Sequence, residues 1–168
     1  MAKAMIRHDA QRIPVSFTLN GRLQELDVEP HELLLDVVRD RLGLTGAKRS
    51  CDVQVCGACT LLVDGRPVSA CTTLAFEVRG RSLLTIEGLA ENGKLHPLQE
   101  AFIEHGGFQC GFCTPGMILA AKALLDENPA PTEAELKHFM HGNICRCTGY
   151  KKIIESILAA AKKMRVKA

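Results

Sequence analysis

The chain has almost no net charge. Its 21 Lys and Arg stand against 19 Asp and Glu, leaving +2 over 168 residues. That balance argues against a nucleic-acid partner, whose binding face carries a strong basic excess. Basic residues gather at the end, as Lys151, Lys152, Lys162, Lys163, Arg165 and Lys167. They read as the solvated face of a last helix, with partner docking as the alternative. No window is apolar enough to cross a bilayer, and the start, MAKAMIRHDAQRIPVSF, has no apolar export core. No membrane span is expected, and the expected compartment is the reducing cytoplasm. Glycine-rich phosphate and dinucleotide motifs are missing as well, since Gly106-Gly107 is too short to be one. Any such cofactor would have to be supplied by other polypeptides.

What is present in quantity is cysteine. Eight cysteines form two separated sets of four. Cys51, Cys56, Cys59 and Cys71 read C-x4-C-x2-C-x11-C; Cys110, Cys113, Cys145 and Cys147 read C-x2-C-x31-C-x-C. In a reducing compartment such sets are metal ligands rather than disulfides. Four thiolates complete an all-cysteine iron–sulfur ligand set, and the first spacing matches the plant-type 2Fe–2S pattern. Gly57 and Ala58 are small enough to let the backbone approach the metal. Zinc is the rival, but four-cysteine zinc sites use two short knuckles and here Cys71 stands alone. The single-residue spacer of Cys145 and Cys147 would also strain a tetrahedral pair. A C-x-x-C redox enzyme would not need those two cysteines. None of the six histidines (His8, His31, His96, His105, His138, His141) makes the C-x-H pairing of a Rieske centre. They read as surface or capping residues, with His141 and Arg146 placed to act on the second set from outside it. Tyr150 reads as packing against the helices.

With 46% hydrophobic and 24% charged residues, the chain can build a core of one large or two small domains. The first half carries strand signals. Val15, Phe17 and Leu19 alternate with polar residues, Asn20-Gly21 marks a type I′ hairpin, and Arg22 to Val28 returns. His31 to Leu42 reads as a helix after Pro30, stopped by Gly43. Thr60 to Val63, then Asp64-Gly65, then Val68 to Cys71 reads as a second hairpin. Ser82 to Glu87 reads as a further strand. The second half is helical: Pro97 to His105, Pro115 to Glu127, a helix opened by the Thr132–Glu135 capping box, and Lys151 to Met164. This is an α+β chain of two units, 12–88 and 89–164, with tails at 1–11 and 165–168. The second cysteine set falls at helix starts, whose positive ends favour thiolates and the roughly −2 charge of an oxidised all-cysteine 2Fe–2S core.

The stretches CDVQVCGACTLLVDGRPVSAC (51–71), FQCGFCTPG (108–116) and GNICRCTGY (142–150) resemble the iron–sulfur subunits of the molybdenum hydroxylases, the xanthine oxidase family. The resemblance spans roughly residues 12–160, with the motifs in the family's order. Many members have glycine where this chain has Gln54, so a non-glycine residue would need positive φ there. The resemblance implies a β-grasp ferredoxin-like domain followed by a four-helix bundle, each holding one 2Fe–2S cluster. It implies that Gln109 and Cys147 hydrogen-bond a molybdopterin held by a large partner subunit. It further implies an FAD-binding medium subunit, a dimer of heterotrimers, and single electrons passing between molybdenum and flavin. A free-standing two-cluster ferredoxin and a zinc-binding interaction module are the alternatives.

Overall fold

The computed structural model describes residues 12–167; the expected tail 1–11, with His8, and Ala168 lie outside the described residues. Alternation of apolar and polar side chains produces strand β1 (Ile13–Leu19), which buries Val15, Phe17 and Leu19 on one face. Asn20 and Gly21 both take positive φ, as a type I′ turn requires, and return the chain into β2 (Arg22–Val28). Asp64 and Gly65 do the same between β3 (Thr60–Val63) and β4 (Arg66–Ser69). With β5 (Ser82–Leu84) these strands form one mixed sheet in the order β2-β1-β5-β3-β4. Among the described residues only the β1–β5 pair is parallel, Thr18 facing Ser82 and Leu19 facing Leu83.

Two expected elements are shorter than the sequence suggested. The first helix begins at Leu34, not His31: α1 (Leu34–Asp36) runs on as a π-helical stretch, Val37–Arg41. Leu33 is held extended opposite Leu74, because Leu34 N–H bonds Thr73 O at 2.8 Å and Glu32 O accepts Ala75 N–H at 2.8 Å. The last strand stops at Leu84 because the Asn20 side chain takes over the ladder. Its Oδ1 accepts Thr85 N–H and its Nδ2 donates to Thr85 Oγ1, both at 2.9 Å. The chain then turns through a 3₁₀ segment, Ile86–Gly88. Strand β4, by contrast, starts two residues earlier than expected, directly after its turn.

Four helices follow: α2 (Pro97–His105), α3 (Thr114–Glu127), α4 (Glu133–Phe139) and α5 (Lys151–Lys167). The Thr132–Glu135 capping box opens α4 as expected. Helix α5 continues three residues past Met164. Helix α3 is buried on more than its expected stripe. Met117, Ala121 and Leu124 join a helical core with Phe102, Leu136 and Ile157. Leu119 and Ala123 instead pack on Leu62 of β3. A separate sheet core holds Phe17, Leu34 and Leu61. Each fully buried large side chain contributes on the order of 1.5–3 kcal/mol, so both cores add to stability, and α3 is the wall between them.

Candidate metal centres

The first cysteine set hangs on the sheet. Cys59 directly precedes β3 and Cys71 lies two residues beyond β4, which places both in the sheet core, 2% and 3% exposed. Cys51 and Cys56 sit on the loop before β3, partly open to solvent. Asp52 (φ +53) and Gln54 (φ +60) are both left-handed, confirming the positive φ expected at Gln54. The alternating backbone turns the N–H groups of Val53, Cys56 and Val55 onto Cys51 Sγ; Val55 N lies 3.4 Å away. Those donors, with the neighbouring Cys56 side chain, lower the Cys51 thiol to about 6. A nest of backbone N–H groups of this kind holds a thiolate and tempers its charge. Burial pushes Cys59, beside Cys71, up to about 12.

The second set sits at helix starts, as the spacing implied. Cys113 is the N-cap of α3, and Cys145 and Cys147 lie in the turn leading to α5. Cys110 Sγ and Cys147 Sγ are 3.6 Å apart, and both residues are exposed. Cys113 contacts Cys145, and burial pushes the Cys113 thiol up to about 12. At Cys145 burial opposes the thiolate, yet hydrogen bonds from the Thr148 hydroxyl and N–H hold the group below the ordinary thiol range. The Cys110 side chain raises Cys147.

The thiols therefore meet two by two: Cys51 with Cys56, Cys59 with Cys71, Cys113 with Cys145, Cys110 with Cys147. Among the described residues no three His, Cys, Asp or Glu side chains converge to hold a single metal ion. Two pairs per set is the donor arrangement of a dinuclear centre, in which each iron takes two thiolates. Two further observations fit such a group. Burial disfavours the Cys59 and Cys113 thiolates, and a bound cation would offset that cost. Thr114 Oγ1, next to Cys113, is buried without a hydrogen-bond partner among the described residues. An orphaned donor beside a thiol pair is suited to an anionic sulfur.

The two sets are joined to each other. Ile144 N–H donates to Cys56 O at 2.9 Å, linking a first-set cysteine to the residue before Cys145. Buried Asn143 donates Nδ2 to Gly57 O at 3.1 Å and reaches Thr60 Oγ1 at 3.4 Å. A Cβ on Gly57 (φ +67) would lie 2.6 Å from Gly142 O, and one on Gly116 would land on the Gly57 carbonyl. The close approach that Gly57 allows is therefore to the other cysteine loop. Asn143, Gly116 and Thr148 lie inside the FQCGFCTPG and GNICRCTGY motifs, but neither residue type nor spacing marks them as functional.

The remaining candidates fall around the second set. Gln109 is exposed beside Cys110, with Phe108, Phe112 and Ile144 exposed nearby in the chain. Arg146 is exposed. His141 stacks edge-on against His138, ring centroids 5.7 Å apart, and His96 caps α2 through Nδ1. Tyr150 does not simply pack on the helices. It is 38% exposed, takes φ +68, and accepts Cys145 N–H on its hydroxyl at 3.0 Å.

Residues 21–103 match the family described as 2Fe-2S iron-sulfur cluster binding domain, and residues 85–158 match the 2Fe-2S binding domain family. The nicotinate dehydrogenase small FeS subunit of Eubacterium barkeri is 47% identical over 90% of this chain and 97% of its own length. This chain belongs to the iron–sulfur small subunits of the molybdenum hydroxylases. Among members of this family, the nicotine 6-hydroxylase small subunit of Paenarthrobacter nicotinovorans is 46% identical over 90% of this chain and 91% of its own. The fold agrees: the quinoline 2-oxidoreductase structure from Pseudomonas putida 86 superimposes with TM-score 0.89 at 46% identity, covering 93% of this chain and 98% of that one. The aldehyde oxidoreductase of Desulfovibrio gigas gives TM-score 0.88 at 45% identity over 93% of this chain, which spans 18% of that longer polypeptide. The α+β architecture is thus that of the 2Fe–2S domains of molybdenum hydroxylases. No helix among the described residues is long and apolar enough to cross a membrane.

Proposed function

We propose that this subunit carries single electrons between a molybdenum centre on a large molybdopterin-binding partner and FAD on a medium partner. In this reading Cys51, Cys56, Cys59 and Cys71 hold one 2Fe–2S cluster in a β-grasp ferredoxin-like unit, residues 12–88. Cys110, Cys113, Cys145 and Cys147 hold the other in a four-helix unit, residues 89–164. Each cluster, when bound, takes up and returns one electron. The chain's own residues gather the thiolates in pairs, present backbone and hydroxyl donors to them, and fix one loop against the other. The observation that carries the reading is the two-plus-two meeting of thiols in two sets tied by the Cys56 O to Ile144 N–H hydrogen bond.

The exposure of two second-set cysteines supports placing that set toward the large partner. Cys110 and Cys147 open to solvent among Gln109, Phe108, Phe112 and Ile144. That apolar rim with one amide suits burial against a partner, with Gln109 and Cys147 meeting the pterin. The assembly is a cytoplasmic dimer of heterotrimers.

Purification through a tag on this chain tests the proposal. Larger subunits, molybdenum and two distinct 2Fe–2S signals should come with it. Iron-loaded chain recovered alone would instead identify a free-standing ferredoxin, and a colourless zinc protein would overturn the cluster assignment.

A further inference from the structure

Cys145 differs from Cys51 in how its sulfur is served. Cys51 is approached by backbone N–H groups of its own loop. Cys145 Sγ lies 3.1 Å from Thr148 Oγ1 and 3.5 Å from Thr148 N. The direction of the hydroxyl is fixed by its other partner: Tyr150 N–H donates to Thr148 Oγ1 at 3.2 Å. With one lone pair so occupied, and a metal-bound thiolate able only to accept, the Thr148 hydrogen points to sulfur. Donation into Thr148 Oγ1 also polarises the O–H and strengthens the next bond in the chain.

Tyr150 is built to hold this arrangement. Its φ of +68 is rare for a bulky residue, and such outliers persist only where the surroundings over-determine them. Here three bonds do so. Tyr150 N–H reaches Thr148, the Tyr150 hydroxyl accepts Cys145 N–H at 3.0 Å, and Tyr150 O accepts Ile154 N–H at 3.0 Å in the first turn of α5. Cys145, Thr148 and Tyr150 thereby close a ring of hydrogen bonds around one sulfur.

Resting on the cluster reading above, we propose that Thr148, aligned by Tyr150, is the residue that sets the reduction potential of the second-set cluster. Reduction adds one negative charge to the cluster and its thiolates. A hydroxyl donated to a thiolate stabilises the more negative state more strongly, so it raises the potential and makes this cluster the readier electron acceptor. The first-set cluster has its own donors and is untouched by the ring. Thr148 is a positioning residue that acts through Cys145.

The test is an EPR-monitored redox titration of the assembled complex carrying Thr148→Val, which keeps the shape and removes the donor. The second-set potential should fall by about the equivalent of tenfold in the reduction equilibrium, 59 mV for a one-electron couple. The first-set potential should stay put as the internal reference, and Thr148→Ser should restore the wild-type value. Thr148→Ala removes the hydroxyl without placing a second methyl against the sulfur, and should fall as Thr148→Val does. Both clusters at wild-type potentials in Thr148→Val overturn the proposal. A second-set cluster lost from both the Val and Ala variants also overturns it, because the hydroxyl would then assemble the site rather than tune it. A wild-type complex without two 2Fe–2S signals would be a different failure, that of the cluster reading itself.

Discussion

Gln54 holds a left-handed backbone without being glycine, at φ +60 in the loop that wraps Cys51. An L-residue pays roughly 1–2 kcal/mol for that region, chiefly through its Cβ. Its side chain recovers little: Thr72 Oγ1 approaches Gln54 Oε1 only at 3.4 Å, on the surface. Gln54→Gly should therefore stabilise the cluster-loaded chain by about 1 kcal/mol, the scale at which a domain of this size gains a few degrees in Tm. A thermal melt of the two proteins side by side checks this, and an unchanged or lowered Tm would show that the strain is relieved elsewhere. Asp52 shares the left-handed geometry but is not equivalent, because its carboxylate meets Arg49 Nη1 at 2.8 Å. Sequence alone could place a positive φ at Gln54 by resemblance, since glycine is the common residue there. It could not tell that Asp52 does likewise, because aspartate tolerates both hands of helix and leaves no compositional trace.

Elements were legible where their signals are local. Asn20-Gly21 and Asp64-Gly65 fixed two hairpins, and Thr132–Glu135 fixed the start of α4, because turn and cap chemistry act over two to four residues. The first helix and β5 depart from their local signals for the opposite reason: residues 32–34 are claimed by 73–75, and Thr85 by Asn20, across long loops. Helix α2 opens on a cap built around His96, one of the histidines expected at the surface or in caps. His96 Nδ1 accepts Leu98 N–H at 3.2 Å, and Gln99 returns a bond to His96 N–H at 2.9 Å. Burial, then Lys122, lowers the His96 pKa, against a weaker opposing pull from Asp126, Glu91 and Glu100. A neutral imidazole is the one that can accept, so the cap is intact when His96 is unprotonated. The folded pKa lies below the unfolded one of about 6.5, so this contribution is complete above that pH and is lost as the pH falls through the folded value. His96→Asn keeps an acceptor at the cap without titrating. Between pH 7 and 5 the wild-type chain should lose more denaturant stability than His96→Asn does. Parallel pH profiles would show that the cap is indifferent to protonation.

At the scale of the whole molecule, two cores share α3 and two cysteine loops share a seam, and these have separable consequences. In the proposed reading each thiol set is complete in itself, so Cys147→Ser should remove the second-set 2Fe–2S signal and half the iron while the first-set signal survives. Loss of both signals together would mean that the sets are not independent centres. The seam is a different matter, since it binds the loops whatever they hold. Asn143 and Gly57 lie 86 residues apart in the chain, a contact no local pattern encodes, and Gly116 sets α3 against the Gly57 carbonyl. A Cβ at 116 would meet backbone, which cannot swing aside as a side chain can. Gly116→Ala must then push α3 from the first-set loop, lengthening the Asn143–Gly57 and Ile144–Cys56 hydrogen bonds. Overpacking of this kind typically costs about 1–3 kcal/mol. Because the strain lies between the cores, it should also uncouple them. Wild type should unfold in one step by helix signal and by visible cluster absorbance. Gly116→Ala should show the two transitions separating, with weaker magnetic coupling between the reduced clusters. A variant that melts as one unit at the wild-type midpoint would mean that α3 shifts freely, leaving the Leu62, Leu119 and Ala123 contact to hold the halves together.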